Sequence, residues 1–294
     1  MDKKDIPQID WKQTDALISL ALSEDLDTVG DATTNSVIPE NLQAKAVFLT
    51  KEDCVCAGLP VAERLFKTID PELEWKTLVR EGEFCPRGTI MAEVRGNARA
   101  LLTGERTALN FLQRLCGVAT ASKRYQDAAD DAAGAKCRIL DTRKTTPGWR
   151  NLEKYAVATG GAFNHRIGLF DRVMIKDNHR ELAGLEGAGG IKRSVERARA
   201  QYPNLEVEVE VDSLSELDEA LESRAEYILL DNMSDEMMAE AVRRVNGRAK
   251  LEASGGITLA RIPSAARTGV DFISAGALTH SVKSSDISMD IVLN

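Results

Sequence analysis

The chain has 294 residues, of which 43% are hydrophobic, and a formal net charge of -8. This length allows one large α/β domain and a smaller one, each with its own hydrophobic core. No apolar run approaches the roughly 20 residues of a membrane-spanning helix, and the acidic balance disfavours a nucleic-acid-binding protein. The polar beginning, MDKKDIPQIDWKQ, lacks the apolar core of a secretion signal, so we expect a cytoplasmic protein. The five cysteines lack CxxC spacing, which favours ordinary buried thiols over a zinc or redox site.

Basic residues are concentrated between Arg138 and Arg180 of this otherwise acidic chain. They are Arg143, Lys144, Arg150, Lys154, Arg166, Arg172 and Lys176. A local excess of cations inside an acidic protein favours a small anionic ligand over a polyanion. The alternative is a solvated charged surface, and the position of these residues in the fold decides between the two.

The first hundred residues predict an α+β domain. Apolar spacing indicates helices over residues 9–26 and 59–69 and a strand over residues 44–57. Residues 73–96 resemble strands interrupted by glycine and proline, and a long helix is expected over residues 98–130.

Six strand-like segments follow, and each ends in polar or glycine residues. They are LDTRK (140–144), MIKDN (174–178), VEVEVD (207–212), ILLDN (228–232), LEASGG (251–256) and FISAG (272–276). Helical stretches between them, such as 194–200, 214–222 and 235–245, predict parallel β/α units. This many short units favour a closed or nearly closed barrel over an open doubly wound sheet. Because the C-terminal strand ends of such barrels converge on one mouth, we expect the functional site there.

The third segment alternates valines with Glu206, Glu208 and Glu210. If the valines pack against the helix layer, the glutamates point into the barrel, where carboxylates are costly unless cations meet them. We expect those cations to come from neighbouring strand ends, namely Arg143, Lys144 and Lys176. An exposed edge strand with solvated glutamates is the alternative. Glu210 lies nearest the mouth and is therefore the best catalytic candidate of the three.

The last two strands predict a phosphate site. Ser254-Gly255-Gly256 and Ala275-Gly276-Ala277 follow these strands, and their small residues leave backbone N–H groups accessible to an oxyanion. The stretch at 184–194 lacks the Gly-Lys-Ser/Thr ending of a P-loop, so we interpret it as a loop that leads into a helix. Glu210 and Asp231 supply carboxylates suited to ribose hydroxyls or to hydrated Mg²⁺.

Several motifs resemble those of quinolinate phosphoribosyltransferases. They are TGERTALNFLQRLCGVAT (103–120), DTRKTTPGWR (141–150), GGAFNHRIGLFD (160–171), MIKDNH (174–179), EVEVD (208–212), LLDNM (229–233), ASGGI (253–257) and GVDFISAGALTHS (269–281). The resemblance implies a homodimer with an N-terminal α+β (α/β sandwich) domain and an open, TIM-like α/β barrel of about six to seven strands. It also implies phosphoribosyl transfer from phosphoribosyl pyrophosphate to quinolinate, with decarboxylation to nicotinate mononucleotide.

The resemblance also implies roles for individual residues. Quinolinate would contact Thr142, Arg143, His165, Arg166 and Lys176, together with Arg106 of the partner subunit. The pyrophosphate would lie near Lys144 and Lys176, while ribose hydroxyls and Mg²⁺ would be held by Glu210 and Asp231. The 5′-phosphate would be lined by Ser254, Gly255, Gly256, Ala275, Gly276 and Ala277. The catalytic residues would be Lys144, Lys176, Glu210 and Asp231.

These assignments predict three regions and leave two alternative functions. Residues 1–115 would form the N-terminal domain, residues 116–280 the barrel, and residues 281–294 a tail returning to the N-terminal domain. A phosphoribosyltransferase for nicotinate or nicotinamide would need fewer cations, because its acceptor has one carboxylate or none. A non-catalytic phosphate-sugar-binding relative is disfavoured only by the intact carboxylates and lysine of the site.

Overall fold

The computed structural model describes residues 6–134 and 136–292, so the first five residues of the polar N-terminal segment lie outside the described part. The chain divides into two compact units, one of residues 1–123, 146–161 and 281–294 and one of residues 124–145 and 162–280. The predicted boundary after residue 115 falls inside a long helix, and residues 146–161 group with the first unit. None of the described helices combines the length and the apolarity needed to cross a bilayer.

The first unit contains a four-stranded antiparallel sheet with the order β12-β1-β5-β3. Its elements and those that connect them are α1 (Trp11–Leu26), α2 (Ala32–Val37), β1 (Gln43–Thr50), β2 (Cys54–Val55), α3 (Leu59–Ile69), β3 (Glu74–Thr77), β4 (Phe84–Cys85), β5 (Ile90–Asn97), α4 (Ala98–Ala133), α5 (Arg150–Thr159) and β12 (Ile287–Val292). The part of α4 from Arg124 onward belongs to the second unit. Strand β12 pairs with β1 from Lys45↔Val292 to Thr50↔Ile287, so the C-terminal segment completes this sheet.

The strand predicted over residues 44–57 is divided in the structure. Strand β1 ends at Thr50, and β2 pairs with β4 outside the four-stranded sheet. The backbone N–H of Val55 donates to Thr120 Oγ1 of α4 at 2.8 Å, so α4 holds the second half of the segment. Apolar spacing alone does not reveal this change of partner.

The second unit contains a six-stranded parallel sheet with the order β6-β11-β10-β9-β8-β7. Its elements are β6 (Arg138–Leu140), β7 (Val173–Ile175), α6 (Asp177–Leu182), α7 (Gly190–Gln201), β8 (Val207–Val211), α8 (Leu214–Glu222), β9 (Tyr227–Asp231), α9 (Asp235–Val245), β10 (Lys250–Ser254), a 3₁₀ helix (Leu259–Arg261), α10 (Ile262–Arg267), β11 (Phe272–Ser274) and α11 (Ala277–His280). A parallel bridge between Leu140 and Phe163 adds a short seventh segment beside β6. The predicted open barrel of six to seven strands is confirmed.

Candidate active site

A cavity of about 700 Å³ lies in the second unit, at the C-terminal ends of the parallel strands. The predicted residues that line it are Thr142, Arg143, Lys144, His165, Arg166, Lys176, Glu210, Asp231, Ser254, Gly255, Gly256, Gly276 and Ala277. Ala275 is not in the lining and is buried at 1% exposure. Arg106 is also absent from the lining and is exposed on α4. Parallel strand order therefore gathers residues that lie far apart in the chain.

Cations form one side of the cavity, at the loops after β6 and after Phe163. The Nε atom of Arg143 is buried and has no hydrogen-bond partner among the described residues. Burial and the neighbouring charge of Arg143 both lower the pKa of Arg166. A bound anion would offer Arg143 an acceptor and would offset the repulsion between the two guanidinium groups. This side is therefore built for an anionic ligand.

Asp141 fixes the loop that carries two of these groups. It is fully buried, and its carboxylate accepts hydrogen bonds from Asn164 Nδ2 at 2.6 Å and from the backbone N–H of His165 at 2.8 Å. The sequence reading counted Asp141 as one more polar strand end. In the structure it faces inward and places His165 and Arg166 beside β6.

Two carboxylates line the middle of the cavity. Glu210 follows the alternation of β8 and contacts Lys176 Nζ, as expected from the sequence. Asp231 ends β9 and accepts a hydrogen bond from Asn232 Nδ2 at 2.7 Å. Asn232 adopts a left-handed backbone conformation with φ of 54°, which is a strained geometry often found at functional sites. The carboxylates are thus held in place while remaining accessible from the cavity.

Glu208 and Glu252 form a buried acidic pair in the same unit. His165 Nε2 is 3.2 Å from Glu208 Oε2 and 3.3 Å from Glu252 Oε2, and both glutamates are at most 1% exposed. Arg172 Nη1 is also 3.4 Å from Glu208 Oε2. Glu252 received no role from the sequence. Its signal was a single carboxylate between the apolar residues Leu251 and Ala253 of β10.

The glutamates of β8 differ from the expectation in two respects. Glu206 is not inside the barrel, because it precedes β8 and its side chain is 55% exposed, 3.6 Å from Arg172. Within the described residues, neither Arg143 nor Lys144 forms an ion pair with any of the three glutamates; the cations that do are His165, Arg172 and Lys176. The predicted pairing of Lys176 with Glu210 is thus present, whereas His165 and Arg172 take the places expected for Arg143 and Lys144.

Two sets of neighbours act in opposite directions on the protonation of the His165 ring. Burial opposes a charged ring, yet hydrogen bonding and the charges of Glu208 and Glu252 raise the pKa of His165 to about 9. The backbone N–H of Arg166 donates to His165 Nδ1 at 2.7 Å, which stabilises the neutral ring instead. Both forms place a proton on Nε2, between the two glutamates.

The glycine loops after β10 and β11 line the cavity between Asp231 of β9 and Lys144 of the loop after β6. Gly255 has φ of +96°, and a Cβ atom there would overlap the side-chain amide of Asn232. Gly256 has φ of +58° and open space around the position of a Cβ atom. A Cβ atom on Gly276 would lie 2.9 Å from the His280 ring and 3.0 Å from Lys144 Cδ. Glycine at 255 and 276 therefore permits close approach of neighbouring groups as well as of a ligand.

We expect Gly255→Ala to destabilise the protein more than Gly256→Ala. Both substitutions place a side chain at positive φ, which costs roughly 1 kcal/mol, but only Gly255→Ala adds a steric overlap, worth about 1–3 kcal/mol more. The free energy of unfolding in urea and the affinity for inorganic phosphate measure the difference. Equal losses of stability in the two variants would contradict the steric overlap between a Cβ atom at position 255 and Asn232.

Comparison with known proteins agrees with this geometry. The chain matches the family models of the quinolinate phosphoribosyl transferase N-terminal domain over residues 31–116 and C-terminal domain over residues 118–290. It is 42% identical over 295 residues to the chloroplastic nicotinate-nucleotide pyrophosphorylase [carboxylating] of Arabidopsis thaliana, covering 94% of this chain and 82% of that protein. It is 43% identical over 288 residues to the probable nicotinate-nucleotide pyrophosphorylase [carboxylating] of a Synechocystis strain, covering 97% and 94%.

A solved structure gives the same result for the fold. The nicotinate-nucleotide pyrophosphorylase of Francisella tularensis superposes with a TM-score of 0.91 at 38% identity, covering 98% of this chain and 99% of that one. Both domains, the relatives and the strand-end cavity thus agree, and the chain belongs to the quinolinate phosphoribosyltransferase family.

Proposed function

We propose that this chain transfers the phosphoribosyl group of phosphoribosyl pyrophosphate to the ring nitrogen of quinolinate. Loss of carbon dioxide then leaves nicotinate mononucleotide, and pyrophosphate is the other product. The observation that carries the proposal is the distribution of charge in one cavity. Cations after β6, Phe163 and β7, carboxylates at the ends of β8 and β9, and glycine loops after β10 and β11 share this cavity, which suits a dianionic acceptor, a ribose and a phosphate.

The cationic side would bind quinolinate. The planar guanidinium groups of Arg143 and Arg166 can bind its two carboxylates in a bidentate manner, and Thr142 lies beside them. His165 contributes to the same wall and orients Arg166 through the hydrogen bond to its backbone. Binding in this position would align the ring nitrogen with the middle of the cavity, which lowers the entropic cost of the transfer.

The remaining groups would bind phosphoribosyl pyrophosphate. Lys144 and Lys176 act as point charges for the pyrophosphate leaving group, and the loops at Ser254–Gly256 and Gly276–Ala277 donate to the 5′-phosphate. Glu210 and Asp231 hold the ribose hydroxyls. As the bond at ribose C1 stretches, these two carboxylates stabilise the oxocarbenium character that develops there.

We propose Mg²⁺ as the metal of this reaction, bound with the substrate at Glu210 and Asp231 directly or through water. The donor set fits, because both groups are hard oxygen ligands that line the same cavity. When bound, Mg²⁺ supplies charge neutralisation for the pyrophosphate.

A homodimer in which Arg106 completes the neighbouring site also remains a proposal. Arg106 is exposed on α4, and its side chain has no ion pair among the residues that the structure describes. A cation presented in this way suits a partner subunit's anionic ligand. For location we propose the cytoplasm, since all five cysteines are buried and free, as is usual in a reducing compartment. The Arabidopsis relative is named chloroplastic, so cell fractionation is the test.

Quinolinate should be used at least about 100-fold better than nicotinate, as measured by kcat/KM in the presence of phosphoribosyl pyrophosphate and Mg²⁺. Nicotinate would leave part of the cationic side without a carboxylate, and an uncompensated charge of this kind costs roughly 3 kcal/mol. Comparable turnover of both acceptors would favour a nicotinate enzyme instead. Tight binding of both substrates without turnover would favour a non-catalytic relative.

A further inference from the structure

Glu252 is a buried acidic group at the floor of the cavity that the proposed binding roles do not use. It lies on β10, is 1% exposed and belongs to the cavity lining. Neither of its carboxyl oxygens has a hydrogen-bond partner of ordinary geometry among the described residues. His165 Nε2 lies 3.3 Å from Glu252 Oε2. A carboxyl group in this environment is costly as an anion.

The charges around Glu252 favour its neutral acid form. It faces Glu208 from β8, His165 from the loop after Phe163 and Ser274 from β11. Burial, followed by the charge of Glu208, raises the pKa of Glu252. Glu208 has two proton-bearing nitrogen neighbours, because His165 Nε2 lies 3.2 Å and Arg172 Nη1 lies 3.4 Å from its Oε2 atom. Glu208 is therefore the carboxylate of the pair, and Glu252 is the acid.

These three side chains also place their ligand atoms within 4.8 Å of one another, a separation that would admit a metal ion. Arg172 and the Nε2 proton of His165 already compensate the charge of Glu208. A cation added there would be repelled by Arg172 and would displace both protons. A proton-bearing cluster accounts for the geometry without a metal.

The decarboxylation step of the proposed function needs such an acid. When carbon dioxide leaves, the electron pair of the broken bond stays on ring carbon C2, and a proton must take the place of the carboxylate. C2 is bonded to the ring nitrogen, which in turn is bonded to ribose C1. C2 therefore lies where the cationic side of the cavity meets the ribose side.

Glu252 lies close to both of these sides of the cavity. It precedes Ser254 of the phosphate loop by two residues on β10, and its carboxyl group contacts His165 of the cationic side. Lys176 is a less suitable donor, because its ammonium group contacts Glu210 and its side chain is 40% exposed.

We propose that Glu252 is the acid that protonates C2 after carbon dioxide has left. The carbon–carbon bond breaks with its electron pair on C2, and the Glu252 carboxyl proton moves to C2. Glu252 becomes a carboxylate, which the Nε2 proton of His165 stabilises, and water restores its proton after the product leaves. This assignment rests on the proposed function, since it requires decarboxylation in this cavity.

The origin of the C2 proton is measurable in the product. The reaction is run in equal parts of H2O and D2O, and the hydrogen-to-deuterium ratio at C2 of nicotinate mononucleotide is measured by mass spectrometry. A carboxylic acid and bulk water deliver the two isotopes with different preference. Glu252→Gln keeps the shape of the side chain but has no acidic proton, so we expect its ratio to shift to the value for water. We also expect kcat to fall on the order of 100-fold, as for the loss of a general acid.

Glu208→Gln is the matched control, because it makes the same change in the same cluster at a residue outside the cavity lining. Its ratio should remain that of the wild type. A purely structural role for Glu252 would lower kcat in both variants without changing either ratio, and that result would overturn the proposal.

The wild type supplies a test that does not depend on folding of a variant. As pH rises through the pKa of Glu252 the acid is lost, so the isotope ratio should move from the wild-type value to that of water. A ratio that equals the Glu252→Gln value at every pH would overturn the proposal. Failure of the proposed function looks different, since the wild type would then make no nicotinate mononucleotide from quinolinate.

Discussion

Lys176→Ala should lower kcat/KM for phosphoribosyl pyrophosphate by about 10²–10³-fold, the loss typical of removing one charge-stabilising group from an active site. Lys176 lies directly after β7 and contacts Glu210. The substitution removes a cation from the leaving group and leaves the Glu210 carboxylate without its partner. The loss of the leaving-group cation acts against charge separation at ribose C1. Steady-state kinetics with each substrate varied in turn measures the loss.

Lys283→Ala is the control for removing a lysine as such. Lys283 is 82% exposed and pairs with Glu52 in the first unit at 3.2 Å. Exposed ion pairs contribute little, typically 0–1 kcal/mol, so this variant should retain wild-type kinetics and stability. A Lys176→Ala enzyme with the same kinetics as the control would place Lys176 outside the reaction.

Activity should return when inactive Arg106→Ala and Lys176→Ala proteins exchange subunits. In a two-fold dimer each subunit gives Arg106 to its partner's site, so either homodimer lacks a cation at both sites. In the mixed dimer one site carries both defects and the other is intact. Complete exchange makes half of the dimers mixed, so about a quarter of all sites, and of wild-type activity, should be restored.

The mixing experiment depends on verified exchange. Subunits carrying different affinity tags allow the mixed dimer to be isolated before the assay. If the isolated mixed dimer is as inactive as its parents, Arg106 does not act across subunits. Arg99→Ala is a matched control on α4, because the Arg99 guanidinium donates to Ile38 O within the first unit at 2.8 Å. The activity of the Arg99→Ala protein should not depend on which subunit it is paired with.

Local signals predicted most of the elements of the second unit. The helices expected over residues 214–222 and 235–245 are α8 and α9. Their N-caps are Ser213, which accepts a hydrogen bond from the backbone N–H of Glu216, and Ser234, which accepts one from that of Met237. The stretch at 184–194 is a loop that leads into a helix, as interpreted from the sequence, because α6 ends at Leu182 and α7 begins at Gly190. Such features depend on neighbours in the chain, which is why periodicity and capping identify them.

The polar strand ends were also readable, because parallel strands have their C-terminal ends on the same side of a sheet. That rule alone placed residues from Thr142 to Ala277 around one cavity. The rule did not exclude Ala275, which is buried beside β11. The alternation of valine and glutamate also placed Glu206 inside the barrel, whereas it lies one residue before β8 with its side chain 55% exposed.

The sequence by itself determined the strand–helix alternation, the polar strand ends and the family motifs, since each depends on residues close together in the chain. The tertiary structure alone decided which charges meet. Glu208 and Glu252 come from β8 and β10, separated by β9, and they converge on a histidine held by Asp141. Their protonation depends on burial and on each other's charge, and both arise only when distant strands pack into one barrel.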